Sequence, residues 1–110
     1  MPSECIFCKL QNTESKVDET DNFYAILDIK PKTEGHTLII SKKHYKTLLD
    51  IPDTLFNEMI SFAKKIALQR IKEGAEGFNL ILNTEPSAGQ LVMHAHLHII
   101  PRKKGDDIRL

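Results

Sequence analysis

From Thr54 onward, Leu55, Met59, Phe62, Ile66 and Ala67 recur at helical spacing, so one face of that stretch is apolar and the rest polar. Lys64, Lys65, Arg70 and Lys72 load its second half with positive charge, which suits the C-terminal end of a helix dipole, and Gly74 and Gly77 close it. The pattern predicts a helix over 54–72. Phe23–Asp28 (FYAILD) is aromatic and β-branched and reads as a strand, and Thr37–Ile40 reads as a second. With the Pro31 and Gly35 turn between them, 22–41 forms a β-hairpin-like unit. Phe78–Leu82 is a third strand and Asn83–Gln90 a loop; Leu91–Ile100 is a further strand that Pro101 ends. Residues 11–21 are polar and read as irregular chain. Strands around one long helix imply an antiparallel α+β domain.

The last strand carries unusual chemistry. In His94-Ala95-His96-Leu97-His98 three imidazoles alternate with apolar groups. Side chains two apart on a strand share a face at roughly 6.5–7 Å spacing, so the histidines line one face while Ala95, Leu97 and Ile99 enter the core. A solvated face that happens to use histidine is the plainest reading. Two sharper ones compete: a catalytic metal site with an open position, or a metal-free anion site in which a neutral imidazole attacks and its neighbour donates to phosphate. Spacing does not separate them.

The chain has 110 residues, one domain's length, with 15 Lys+Arg against 15 Asp+Glu. Zero formal charge argues against polymeric nucleic acid or an anionic membrane as partner, though a small anion can still find a positive local site. The N-terminus lacks a basic region followed by an apolar run, and no stretch approaches the ~18 apolar residues of a membrane helix. A cytoplasmic protein is expected. Cys5 and Cys8 form a C-x-x-C pair, which in a reducing compartment suggests a metal site or a redox pair, with two buried thiols a further alternative.

Gly89–Arg102 (GQLVMHAHLHIIPR) resembles the signature of the histidine triad (HIT) family, His-φ-His-φ-His-φ-φ with φ apolar. CIFCKL at 5–10, AILDIKP at 25–31 and GHTLIISKKH at 35–44 match as well, so the resemblance runs through nearly the whole chain. It implies a single HIT domain over 1–110, with an antiparallel sheet of about five strands, one long helix and one short one. It also implies a nucleotide hydrolase or transferase that attacks an α-phosphate through a covalent nucleotidyl-histidine. The expected enzyme is a nucleoside phosphoramidase or dinucleoside polyphosphate hydrolase acting on a purine nucleotide.

The resemblance assigns roles by position. His96 is the nucleophile, His98 stabilises the transferring phosphate, and His36 lies near the leaving group. Asn83 helps hold the phosphate, Gln90 and its backbone fall in the loop beside it, Asp28 accepts from the ribose, and Phe7, Leu10, Ile26 and Ile29 sandwich the base. Cys5, Cys8, His44 and His94 match a structural zinc set of small members, Hint-like or microbial in type. Leu91 stands where the Hint branch carries a serine and cannot hydrogen-bond a leaving group. The family also implies a homodimer, with the helix at 54–72 and the strand at 78–82 meeting their mates. The rival readings are a nucleotide-binding module with little catalysis and a zinc-dependent hydrolase that uses the triad strand as ligands.

Overall fold

Alternation along the strands builds two unlike faces. In the computed structural model, which describes residues 5–110, five antiparallel strands lie in the order β1-β2-β3-β5-β4. Residues 1–4, part of the segment read above for a secretory signal, lie outside the described residues. The strands are β1 (Asp18–Glu19), β2 (Phe23–Leu27), β3 (Thr37–Ser41), β4 (Gly77–Ile81) and β5 (His96–Arg102). The helices are a short α1 (Ile6–Leu10) and a long α2 (Asp53–Lys72). The antiparallel α+β layout, the 22–41 hairpin unit and the long helix are therefore present as predicted. No helix among the described residues is long and apolar enough to cross a membrane.

Phe23, Ala25, Ile39, Leu97 and Ile99 point to the α2 side and form the main core with Met59, Phe62, Ala63, Ile66 and Ala67 of that helix. The other face carries Tyr24, Leu38 and Ile40, over which α1 lays Phe7. His96 sits opposite Ile40 and His98 opposite Leu38, so both imidazoles join this second face. Helix α2 stops in a Schellman motif: Ala75 N–H bonds the Arg70 carbonyl and Gly74 N–H the Ile71 carbonyl, with Gly74 at φ +116. The buried stripe of α2 continues through Arg70, one of the charges that suit the helix's C-terminal end.

Two strand expectations need correction. The histidine strand begins at His96, not Leu91, because β3 ends at Ser41 and offers no partner further upstream. There Ala95 N–H bonds the Tyr45 carbonyl at 2.7 Å instead. It also runs through Pro101 to Arg102. Pro101 is tolerated because its ladder position faces β3 beyond that strand's end, where its carbonyl accepts from the Thr33 hydroxyl at 2.7 Å. Within the stretch read as irregular, Asp18 and Glu19 pair with Ala25 and Tyr24. Two polar residues carry no alternation that could have announced that strand.

Candidate active site and metal centre

The second face of the sheet and α1 enclose a cavity of ≈ 580 Å³. Phe7, Leu10, Ile26, Leu38 and Val92 supply its apolar wall, and Asp28, His36, Asn83, His96 and His98 its polar groups. The Tyr24 hydroxyl donates to the Phe7 carbonyl and so fixes α1 over the strands. The Phe7 ring meets His96 edge-on, with centroids 4.9 Å apart. Ile29 and Leu91, 92% and 93% exposed, stand on the cavity's margin.

Backbone groups set the tautomers. Nδ1 of His96 lies 2.8 Å from the His94 carbonyl and must donate to it. The lone pair of the neutral ring then sits on Nε2, which no described residue bonds and which is not buried. Lys32 N–H donates to Nδ1 of His36 at 3.1 Å, so the proton of His36 is on Nε2. That nitrogen is 3.0 Å from Nδ1 of His98, which accepts, leaving Nε2–H of His98 as a donor. The rings of His96 and His98 are 5.1 Å apart. An unprotonated ring nitrogen and an N–H donor therefore line one cavity. Asp28 places one carboxylate oxygen 3.5 Å from His36 Nε2 and accepts from Lys30 N–H at 2.9 Å. Asp28, His36 and His98 have metal-ligand spacing. With the His36 lone pair taken by Lys32, however, His36 faces them as a hydrogen-bond donor and not as a ligand.

Burial disfavours the charged form of each ring. It lowers His96 and His36 below the usual histidine range, and with the nearby His96 and His36 it holds His98 down at about 4. The rings are neutral at pH 7, as a histidine nucleophile requires.

At the upstream end of the triad the chain has left the sheet, and His94 turns toward α1. Its Nδ1 lies 3.2 Å from Cys5 Sγ, 3.5 Å from Cys8 Sγ and 3.2 Å from His44 Nδ1; Cys8 Sγ is 3.3 Å from His44 Nδ1. Tetrahedral zinc, with ~2.0–2.1 Å to nitrogen and ~2.3 Å to sulfur, needs N···N near 3.4 Å and N···S near 3.6 Å. The observed spacings agree within a few tenths of an ångström. The His94 Nε2–H donates to the Ser41 carbonyl at 2.7 Å, which turns the Nδ1 lone pair into the cluster, the usual orienting contact of a ligating histidine. These four residues fit a metal ion. As a free thiol, Cys8 is pushed up to about 11, first by burial and then by Cys5.

Most expected site residues thus gather in two adjoining places. Gln90 does not face the cavity. Its buried carboxamide donates to the Lys46 and Val92 carbonyls at 2.6 and 3.0 Å and accepts from Glu85 N–H at 2.8 Å, tying down the loop before the triad. Asn83 lines the cavity beside Gly89, with Nδ2 3.5 Å from the Gly89 carbonyl. Leu38, Val92 and the Lys32 amide belong to the site although the sequence reading passed over them. Leu38 had a signal, since it alternates with core residues on β3; a backbone amide has none.

A family model described as the HIT domain matches residues 9–105. The chain is 41% identical over 110 residues to the adenylylsulfatase HINT3 of Arabidopsis thaliana, covering 96% of this chain and 56% of that protein. It is 40% identical over 106 residues to the adenosine 5'-monophosphoramidase HNT1 of Saccharomyces cerevisiae, covering 94% of this chain and 65% of that one. The crystal structure of a zinc-bound histidine triad family protein from Mycobacterium smegmatis superposes with a TM-score of 0.88 at 36% identity, covering 97% of this chain and 81% of the other.

The depressed histidines predict acid sensitivity. An unfolded histidine titrates near ~6.5, above its folded value here, so the unfolded state binds more protons below that pH. Their stability contribution is whole above about 6.5 and is lost as pH falls toward the folded value of His98, about 4. Urea midpoints should fall from pH 7 to pH 5, and less steeply for His98→Asn. Equal slopes for both proteins would contradict the assignment.

Proposed function

Since this chain belongs to the HIT domain family, we propose that residues 1–110 work as one domain that hydrolyses purine nucleotides at the α-phosphate, with His96 as nucleophile. The observation that carries the reading is the bond from His96 Nδ1 to the His94 carbonyl, which leaves Nε2 as an unprotonated nitrogen at the cavity. Similarity to an adenylylsulfatase and an adenosine 5'-monophosphoramidase supports an adenylate bearing a displaceable group. A nucleoside phosphoramidate or a dinucleoside polyphosphate fits that description.

The reaction has two displacements. The His96 Nε2 lone pair forms an N–P bond as the bond from phosphorus to the leaving group breaks, and the electron pair goes to the departing phosphate or to an amine that leaves already protonated on nitrogen. Water then forms a P–O bond as the N–P bond breaks, the electron pair returns to Nε2, and the water's proton passes to solvent, releasing nucleoside monophosphate and neutral His96. His98 Nε2–H donates to a phosphate oxygen in both steps. Asn83 lies beside the phosphate. Gln90 acts through the loop it holds, and His36 through His98. Phe7, Leu10 and Ile26 hold the base with Ile29 at the margin, and Asp28 accepts from the ribose.

The alternative in which His94 and His96 chelate a catalytic ion finds both ring nitrogens of His94 committed, one to the Ser41 carbonyl and one to the cysteine cluster. Zinc in the Cys5, Cys8, His44, His94 set has four protein ligands and is structural in type. It would tie α1, and with it Phe7, to the segment before β5. A homodimer is supported by edge strand β4, which leaves Phe78 and Leu80 about 40% exposed, and by Leu68 and Ile71 of α2, also exposed. Cytoplasmic residence is part of the same reading.

Incubation with adenosine phosphoramidate and diadenosine polyphosphates should release AMP. His96→Ala should cost at least ~10³-fold in kcat, and 2′-deoxy substrates should lose about 10-fold or more in kcat/KM as Asp28 is left unpaired. A wild-type protein that binds AMP yet shows no single-turnover release would favour the binding module. Full activity of His96→Ala would remove the nucleophile assignment. Metal analysis of unchelated protein should find about one zinc per chain. Cys8→Ser should lower both zinc content and thermal stability; freshly purified protein without zinc would end that claim. Light scattering at micromolar concentration should give a dimer mass, and a monomer would count against the paired state.

A further inference from the structure

Arg70 continues the buried stripe of α2 that runs through Met59, Phe62, Ala63, Ile66 and Ala67, and it is 8% exposed. An apolar side chain would complete that stripe at lower desolvation cost, so the guanidinium calls for a reason beyond packing. Its donors show where it acts. Nε bonds the Gly35 carbonyl and Nη2 the Thr37 hydroxyl, each at 3.0 Å, and that hydroxyl donates to the Gly35 carbonyl at 2.8 Å. The third bond, Nη1 to Glu73, stays on the helix. The two residues it grips are the chain neighbours of His36. Gly35 has φ +84, and a Cβ there would lie 3.0 Å from the Arg70 Cδ, so only glycine lets the arginine lie this close.

The opposite side of the same turn is held as well. The Thr33 hydroxyl bonds the Pro101 carbonyl at 2.7 Å, and His36 N–H bonds the Thr33 carbonyl at 3.1 Å. Between these clamps the Lys32 amide reaches His36 Nδ1. The turn separates the nucleotide cavity from a second one of ≈ 340 Å³, lined by Arg70, Gly35 and Lys32 among others. Arg70 does not line the nucleotide cavity.

We propose that Arg70 is a positioning residue for His98: by clamping Gly35 and Thr37 it keeps the Lys32 amide on His36, which holds His36 as the donor and His98 with its Nε2–H toward the substrate phosphate. The kinetic part rests on the function proposed above; the tautomer part does not. Arg70→Met keeps the stem and removes every donor. Thr37→Val keeps the arginine and removes only the hydroxyl it grips. Glu73→Gln alters only contacts on the helix side, those of Glu73 with Arg70 and Gln69.

Nitrogen-15 NMR of the imidazoles should show His98 as a single Nε2–H tautomer in the wild type and Glu73→Gln, and as a mixture in Arg70→Met and Thr37→Val. In Arg70→Met, kcat per folded molecule should fall about 10- to 100-fold with KM changed by less than about threefold, because the base and ribose contacts remain. Methylguanidine, small enough for the second cavity, should restore part of kcat to Arg70→Ala. A folded Arg70→Met with the wild-type tautomer and kcat would overturn the proposal, as would losses that track only the folded fraction. If Arg70→Met does not fold, a wild-type tautomer and kcat in Thr37→Val overturn it equally. A wild type inactive on nucleotides would defeat the function proposed above and leave the tautomer result to decide this one.

Discussion

The peptide unit joining His94 to Ala95 bonds at both ends: its N–H to the Tyr45 carbonyl at 2.7 Å, and its C=O to Nδ1 of His96 at 2.8 Å. A trans peptide points these two groups in opposite directions. Holding one pole against the segment after β3 therefore aims the other at the ring of His96. The side chain of His94, leaving the same unit, enters the cysteine cluster. One peptide thus orients the cavity-facing nitrogen of His96 and the cluster-facing nitrogen of His94. The departure of the chain from the sheet at this point makes that possible, since a regular strand would have kept all three imidazoles on one row.

Neutral histidines in a largely buried site need this control. A solvated imidazole exchanges tautomers freely, whereas a buried one must match each nitrogen to a donor or an acceptor. The Ser41 carbonyl, the His94 carbonyl and the Lys32 amide make that choice for His94, His96 and His36, and His36 passes it on to His98. The burial that keeps the rings uncharged is supplied by the apolar side chains of β2, β3 and α1 that wall the cavity. Core packing and reactivity are two results of the same desolvation.

Periodicity made much of this legible. The α2 stripe, the hairpin unit and the inward alternates of β5 follow from spacing alone, and C-x-x-C with His44 and His94 marked the cysteine cluster through family resemblance. What escaped depended on partners distant in sequence. The start of β5 is set by where β3 ends. Pro101 is admitted because nothing on that side needs its missing N–H. Gln90 has the composition of a ligand-binding side chain, yet it is consumed by three backbone groups of its own loop and its neighbourhood. Arg70 looked like a helix-end charge because Lys64, Lys65 and Lys72 around it are. Its place three residues beyond Ala67 and four beyond Ile66 was the signal that it belongs to the buried face.

The claim that joins these features is that a backbone carbonyl makes Nε2 of His96 the attacking atom. Rapid acid-free quenching with isotopically labelled adenosine substrate, followed by peptide mapping, tests it most directly. The account predicts a single adenylyl group on Nε2 of His96 that appears before free AMP and decays as AMP is released. Label on another residue, or AMP formed in a fully resolved first turnover with no labelled protein at any time, would contradict it.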